Sequence, residues 1–361
     1  MAFRKRNIAV GKASPNTGEN LNIPRSSSLD DLLGGHAGLA LGSSLLIEES
    51  GTTDFAGALL RYYAAEGLCH GHVVHVVGVG ENWVRELPAV AEEKSSRKTA
   101  SSTADDEKMK IAWRYEKLGQ AGERASPSRS PSMPQDAAMA PQPFCHTFDL
   151  TKRFVVPADA DINYIMSRSP TDPFDAVIKS LSQTLQATPP GTVHRVVIPT
   201  ILSPALWPPT ASRPDSFLRF LHSLRHLLQE NPTRLTAMMT LPTELHPRST
   251  GLVRWAELLS DGVLELTPFP HLMDASNSLA ESGGARGKDE QPQGMLKVHK
   301  LPTTTERGEG GAGAGNTIGE DLAFTVSRRR FEIKPFSLPP AEGDQDAQKE
   351  GGSLTGKDVE F

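Results

Sequence analysis

Two stretches, Val73–Val79 (VVHVVGV) and the run around Val196–Ile198 (HRVVIP), are apolar at nearly every position rather than at every second one. A strand that hides both faces fits a central position in a mostly parallel sheet covered by helices above and below. The rest of the chain agrees with that demand. Strand-like runs fall at Ser44–Ile47, His72–Val79, Phe144–Leu150, Val193–Pro199, Leu235–Leu241 and Val263–Thr267. Helix-like runs lie between several of them, at Thr53–Ala65, Asp172–Ala187 and Asp215–Asn231. The last is the clearest, with Phe217, Phe220, Leu221, Leu224, Leu227 and Leu228 on one face at helical spacing. The expectation is an α/β fold with a mostly parallel sheet flanked by helices. Late strands at Leu296–His299 and Leu322–Phe336 should extend one edge, antiparallel.

Composition matters where this pattern breaks. Only 37% of the 361 residues are hydrophobic, and Gly 31 with Pro 28 is high for one compact domain. The excess gathers in low-complexity stretches that lack the apolar side chains to repay the entropy of ordering. They divide the chain into a flexible basic tail (1–25), a single domain (26–340) and an acidic flexible tail (341–361). Disordered inserts are expected within the domain at about 91–143, 276–293 and 304–321. One piece of the first insert, Met109–Leu118, carries Trp113, Arg114 and Tyr115 and reads as ordered.

A net charge of −5 gives no global attraction to nucleic acid, so any such contact has to be a local basic patch. The two cysteines, Cys69 and Cys145, lack the spacing of a disulfide framework or a zinc motif, which fits a reducing compartment and no metal. No apolar run approaches the roughly 20 residues that cross a bilayer. The start, Met1–Arg6, is basic but has no apolar stretch behind it, so a secretory signal is not expected.

The strand Ser44–Ile47 is followed by Glu48, Glu49, Ser50, Gly51, Thr52 and Thr53 and then a helix. A phosphate-binding loop of the form Gly-x-x-x-x-Gly-Lys-Ser/Thr occupies this kind of turn. Its glycines let amides curl round phosphates, and its lysine neutralises their charge. Here Gly51 takes the second glycine and Thr53 the Ser/Thr position, but Thr52 replaces the lysine and Leu46 the first glycine. Glu48 and Glu49 add like charge. Together these changes should cost phosphate affinity on the order of several kcal/mol. The segment Glu49–Thr53 is therefore a degenerate nucleotide loop. Its plain reading is a strand-to-helix turn capped by Thr52 or Thr53, with Asp54 on the helix dipole.

The partner motif is missing as well. Nucleotide hydrolases of this architecture end a central strand with an Asp that holds Mg²⁺. The candidate strand, HRVVIPTILSP, has Pro199 and Thr200 there instead. Glu81, after VVHVVGVG, is the one candidate for a water-activating carboxylate, and it reads more simply as a first-turn acid of the helix ENWVRELP.

The residues carry a resemblance. Upstream of the first strand, Leu29, Asp30, Leu32, Leu33, Gly34, Gly35, Leu39, Gly42 and Ser43 are similar to the entry segment of RecA-type ATPase domains. With LLIEESGTTDFAGALLRYY, VVGVGENWVRELP, KMKIAWRYEKL, FCHTFDLTKR, RVVIPTILSPALWPP and SRRRFEIKPFSLPP, in that order, the chain resembles the Elongator subunit 4 family. The resemblance spans roughly 29–267 and 322–340, apart from the inserts. It implies a RecA-like fold without the usual ATP-binding motifs. It also implies a heterohexameric accessory ring with the related subunits 5 and 6, which binds tRNA and supports modification of wobble uridine at carbon 5. The chemistry on uridine would belong to the catalytic Elongator subcomplex, leaving this chain without a catalytic residue. ATP would act at the level of the ring, not through this chain's own loop, and no other cofactor is implied. The expected location is cytoplasmic, with a nuclear pool as well. Two other readings stay open: a divergent ATPase with a site completed across a subunit interface, and a transcription-associated scaffold without RNA binding.

For tRNA, contacts to phosphates call for basic side chains gathered on one face. Lys152 and Arg153, after the strand FCHTFDL, are one candidate pair, because loops after central strands face the ligand side of such sheets. Arg328, Arg329 and Arg330 before FEIKPF are the other. Trp113 and Tyr115 could stack on bases, though an aromatic pair at an interface is the simpler account. Arg219, His222 and His226 share a polar helix face with no further ligand spaced to complete a metal site. Ser126 and Ser130 precede prolines in the first insert and are candidate phosphorylation sites within a flexible linker.

Overall fold

The strand that precedes the degenerate loop, β1 (Ser44–Glu49), is buried along its whole length and lies deep inside a nine-stranded sheet. The computed structural model describes residues 29, 33, 38–91, 145–166, 169, 171–269, 292–302, 321–327 and 331–336. From β1 the chain enters α1 (Phe55–Cys69), returns through β2 (Val73–Val77) and passes a short helix α2 (Glu81–Val84). Next come β3 (Pro88–Val90), β4 (Phe148–Arg153) and β5 (Ile162–Ile165). The central part is α3 (Asp175–Ala187), β6 (His194–Ile198), α4 (Pro214–Glu230), β7 (Leu235–Pro242), α5 (Gly251–Leu259) and β8 (Gly262–Pro268). It closes with β9 (Gly294–Lys300), β10 (Leu322–Val326) and β11 (Phe331–Pro335).

The spatial order is β11-β10-β9-β8-β1-β7-β6-β2-β5. Every neighbour pair from β5 to β8 is parallel, and β8, β9, β10 and β11 are joined antiparallel. This is the RecA-like arrangement: β7 is inserted between β1 and β6, the strand in which a Mg²⁺-holding Asp was sought. Alternate side chains of β1 go to opposite faces. Leu45 and Ile47 join the core that contains α1, whereas Leu46 joins the core of α3, α4 and α5. Leu29, Leu33 and Leu39, from the segment upstream of β1, are fully buried in the first of these cores.

On the other face, α4 starts at Pro214, whose fixed φ and missing N–H suit a first helical turn. It buries the six apolar residues that its sequence periodicity marks. Each is worth about 1.5–3 kcal/mol when removed from water. Phe220 stacks on Phe174 at 4.4 Å, locking α4 to the start of α3.

Several expectations need correction. The run Phe144–Leu150 does not supply a strand of the large sheet. Its last three residues begin β4, which pairs antiparallel with β3 in a separate two-stranded sheet. Phe148 anchors that sheet on α1, with its ring 5.8 Å from Tyr62. The sixth parallel strand is instead β5, a four-residue element with Asn163 in it, too short and polar to announce itself. Asn163 Nδ2 lies within hydrogen-bond reach of His75 Nδ1 (3.2 Å), Ser180 Oγ (3.0 Å) and Thr184 Oγ1 (3.3 Å), so its polarity is spent in a half-buried network. The run Leu322–Phe336 is two strands, β10 and β11, paired with each other. Helix α5 was not expected. It is short and begins with Thr250, whose hydroxyl accepts from the Val253 amide.

The expected tails and the Met109–Leu118 piece lie outside the described residues. So do the expected inserts, apart from their end residues. Of these, Gln293 is tied down, its Nε2 donating to Val326 O at 2.9 Å.

Candidate functional site

The first turn of any α-helix leaves backbone N–H groups without helical partners, and the helix dipole makes that end attractive to anions. In α1 two of those groups, the amides of Phe55 and Ala56, are engaged by Glu49, the last residue of β1. Its Oε1 accepts from Phe55 N at 2.9 Å and from Thr53 Oγ1 at 2.7 Å, and its Oε2 accepts from Ala56 N at 2.8 Å. The carboxylate thus lies where a loop of this form would hold phosphate oxygens. Thr53, in the Ser/Thr position, points its hydroxyl at the same carboxylate.

A second acid takes one further amide of the loop. Gly51, with φ +92°, is held in the left-handed region, and its amide donates to Glu244 Oε1 at 3.0 Å. Glu244 comes from the loop after β7, where Thr243 also donates to Glu49 O through both N and Oγ1, each at 2.9 Å. Ser50 N donates to Leu266 O at 3.1 Å. Thr52, in the lysine position, is exposed. Of the five loop residues, Ser50, Gly51, Thr52 and Thr53 lie in the turn between β1 and α1, whereas Glu49 ends the strand.

The expected cap was different. Asp54 occupies the N-cap position but makes no side-chain cap bond. It turns instead to Arg61 Nη1 at 2.9 Å, passing over Gly57, where a Cβ would collide with its carboxylate. Glu49, which charge alone marked as a repelling neighbour, is the cap. The signal in the sequence was a buried-strand glutamate six and seven residues before the helix's first two amides. Burial raises the Glu49 carboxyl above its ordinary value, and the bonds from Thr53, Ala56 and Phe55 pull it back only partly.

On the opposite face of β1, Glu48 is fully buried beside Arg248, Nε to Oε2 2.9 Å, though the Nε–H is aimed at Glu257 Oε1 at 2.8 Å. Glu265, the neighbour of Glu48 across the β1–β8 ladder, takes Arg248 Nη1 at 3.4 Å and His299 Nε2 at 2.7 Å. Three carboxylates around one guanidinium leave a surplus of negative charge. Burial, then the charge of Glu257, push Glu48 up to about 8 against the pull of Arg248. Both faces of the strand end that leads to the loop are therefore acidic, the reverse of a polyphosphate site.

After β6 come Pro199 and Thr200; Thr200 N donates to Thr240 Oγ1 at 2.7 Å, and no carboxylate stands at that strand end. Thr200 and Leu202 both have positive φ, 39° and 66°, so this turn is strained and held by its bonds to β7. Glu81 begins α2 as a first-turn acid and pairs with Arg85 at 3.5 Å on the exposed surface.

Of the basic candidates, Lys152 and Arg153 are exposed at the end of β4. The reason for choosing them does not hold, since β4 belongs to the two-stranded sheet and not to a central strand of the large one. Arg153 Nη1 donates to Glu86 O at 2.9 Å, which fixes that side chain along the sheet edge. Arg328, Arg329 and Arg330 lie outside the described residues, as do Trp113, Arg114, Tyr115, Ser126 and Ser130. Arg219 pairs with Asp172 at 3.7 Å and His226 with Glu230 at 3.2 Å, an ordinary solvated helix face.

Comparison with known proteins gives consistent results. The family model described as PAXNEB protein matches residues 4–361. Elongator complex protein 4 of Schizosaccharomyces pombe is 35% identical over 340 residues, covering 89% of this chain and 85% of that protein. The Saccharomyces cerevisiae protein of the same name is 27% identical, covering 94% of this chain and 78% of its own length. The Homo sapiens one is 28% identical, with coverage of 93% and 81%. Among solved structures, the KaiC-like protein PH0186 from Pyrococcus horikoshii OT3 aligns at 14% identity with a TM-score of 0.41, over 89% of this chain and 98% of that one.

Proposed function

We propose, for a chain that belongs to the PAXNEB protein family, that it is a subunit of an Elongator complex and takes no part in the chemistry of the reaction that complex performs. It assembles with the related subunits 5 and 6 into a heterohexameric ring, and the ring holds tRNA for modification of wobble uridine at carbon 5 by the catalytic subcomplex. The observation that carries this reading is the occupation of the loop amides by the chain's own carboxylates, Glu49 at Phe55 and Ala56 and Glu244 at Gly51. An anion held covalently beside its donors outcompetes a free one, because it loses no translational freedom on binding. The frame of a nucleotide domain is kept, and its ligand position is filled from within.

That arrangement leaves the fold as a building block. The sheet, with two faces covered by helices, offers rigid strand ends and helix surfaces to neighbours in the ring. Contacts to tRNA fall to basic side chains outside the loop, with Lys152 and Arg153 as the described candidates and Arg328–Arg330 beside them in proposal. Any ATP effect belongs to the assembled ring. The protein acts in the cytoplasm, with a nuclear pool.

The test is co-expression of the chain with its two paralogues, mass measurement of the purified assembly, and a tRNA retention assay with and without ATP. The reading expects a hexamer that retains tRNA. Absence of a hexamer, or a hexamer with no tRNA affinity at low salt, would reject it. The second of those outcomes would favour a transcription-associated scaffold. The divergent-ATPase reading needs phosphate access to a turn in which the amides of Gly51, Phe55 and Ala56 already donate to carboxylates, and no feature of the turn favours it.

A further inference from the structure

At the far end of α1 from the Glu49 cap lies a cluster that the proposed function does not use. Glu66 is buried without exposure in the last turns of α1, and His70 follows one turn later as the helix C-cap. His70 Nε2 is 2.7 Å from Glu66 Oε1. His146, which enters from the segment before β4, places Nδ1 3.1 Å from the same oxygen, and its backbone N donates to both carboxylate oxygens at 3.3 and 3.2 Å. The two imidazoles meet edge to face with centroids 5.4 Å apart and stay partly open to solvent, at 18% and 17% side-chain exposure.

We propose that Glu66, His70 and His146 form a binding site for a divalent cation of the zinc class. Each residue offers one ligand atom, and these atoms all lie within 4.8 Å of one another. In a tetrahedral zinc site with ligands near 2.0–2.1 Å, neighbouring ligand atoms stand about 3.3 Å apart. The 2.7 and 3.1 Å separations would open by about 0.6 and about 0.2 Å to reach that spacing, and the two imidazole nitrogens, within 4.8 Å of each other, would adjust about the same ion. Two imidazoles with one carboxylate is a donor set for zinc with an open fourth position, which water fills. Calcium and magnesium, which prefer oxygen donors, fit it poorly.

Two independent features support a cation here. The C-terminal carbonyls of α1 carry the negative end of its dipole, and the last turn contains no basic residue to satisfy it. The ligands are also held before any ion arrives. Glu66 and His70 share a helix face at i, i+4 spacing, and the His146 backbone is tied to the carboxylate. Arg195 brings positive charge toward Glu66 but has no lone pair, and it donates to Tyr63 O and His72 Nδ1. Cys69 is not a ligand in this proposal. Spacing along the sequence hides the cluster, because His146 lies 80 positions from Glu66.

The experiment uses tag-free full-length protein stripped with a chelator, then titrated with Zn²⁺ against a chromophoric competitor and, separately, with Co²⁺. One equivalent of Zn²⁺ is expected, with visible Co²⁺ absorption of a four- or five-coordinate site. His70→Gln and His146→Gln should each weaken binding by about 100-fold or more and remove the Co²⁺ bands. Circular dichroism checks that each variant is folded; His146→Gln, outside the helix, is the safeguard if His70→Gln unfolds. Uptake well below one equivalent in the wild type would overturn the proposal. So would binding that is unchanged in both folded variants.

Discussion

Replacing Glu49 removes the group that closes the loop, at a cost set by the bonds it accepts. Glu49 is 6% exposed and accepts three hydrogen bonds of 2.7–2.9 Å. In Glu49→Ala the amides of Phe55 and Ala56 and the Thr53 hydroxyl lose their acceptor. An orphaned buried donor costs about 1–3 kcal/mol, and the exposed turn at Gly51 and Thr52 lets water recover part of that. A net loss of about 2–4 kcal/mol is expected. Glu49→Gln keeps one acceptor oxygen and drops the buried charge, whose burial raises the carboxyl in the first place. Its NH₂ faces at least one of the former donors, so its cost should be about 1–2 kcal/mol at neutral pH, below that of Glu49→Ala. Urea unfolding measures both, read as a shift of midpoint at constant slope. Hydrogen exchange at Phe55 and Ala56 should accelerate in Glu49→Ala alone. Sulfate supplies a further check. At about five times its Kd it should restore about 1 kcal/mol to Glu49→Ala beyond its effect on the wild type. If Glu49→Ala lies within about 0.5 kcal/mol of the wild type, the scatter of surface substitutions, the cap argument is wrong.

Three more outcomes rest on the same geometry. Glu48 has a folded value of about 8 against an ordinary 4.5, so the folded state holds its proton more tightly and the group's contribution is lost as pH rises through that window. Glu48→Gln should therefore gain stability over the wild type at pH 8 and show no gain below about pH 4.5; denaturation midpoints across pH that stay parallel would refute this. Gly42 has φ +79°, and a Cβ there would stand 2.8 Å from Pro232 Cα, so Gly42→Ala should lose about 1–3 kcal/mol in thermal or urea unfolding. Lys152→Glu in the assembled ring should weaken tRNA retention for all sequences alike and lower the salt slope by about 1; an unchanged slope would remove Lys152 from the contact surface.

The sheet was readable because the demands on its central strands are severe. Val73–Val77 and His194–Ile198 are buried on both faces, and nothing but a covered parallel position suits them. The amphipathic stripe of α4 was equally plain. What escaped was set by distant partners. Asn163 looks wrong for a strand of the parallel sheet until His75, Ser180 and Thr184 are placed around it. The strand character of FCHTFDL was visible, but β-pairing with Pro88–Val90 depends on a contact across more than fifty residues. At the loop, composition showed that a lysine was missing and that acids were present. It could not show that Glu49 turns back onto the amides of α1, because the same residue on a splayed turn would merely repel phosphate. The Glu66, His70 and His146 cluster was hidden for a similar reason, since only the Glu66–His70 pair is local.

The central claim is that the nucleotide frame of this chain is closed by its own carboxylates. Calorimetric titration of ATP with Mg²⁺ into the isolated protein, alongside Thr53→Ala, addresses it most directly. No saturable heat is predicted up to millimolar ATP, with the wild type and Thr53→Ala indistinguishable. Stoichiometric binding in the micromolar range that Thr53→Ala abolishes would contradict the claim.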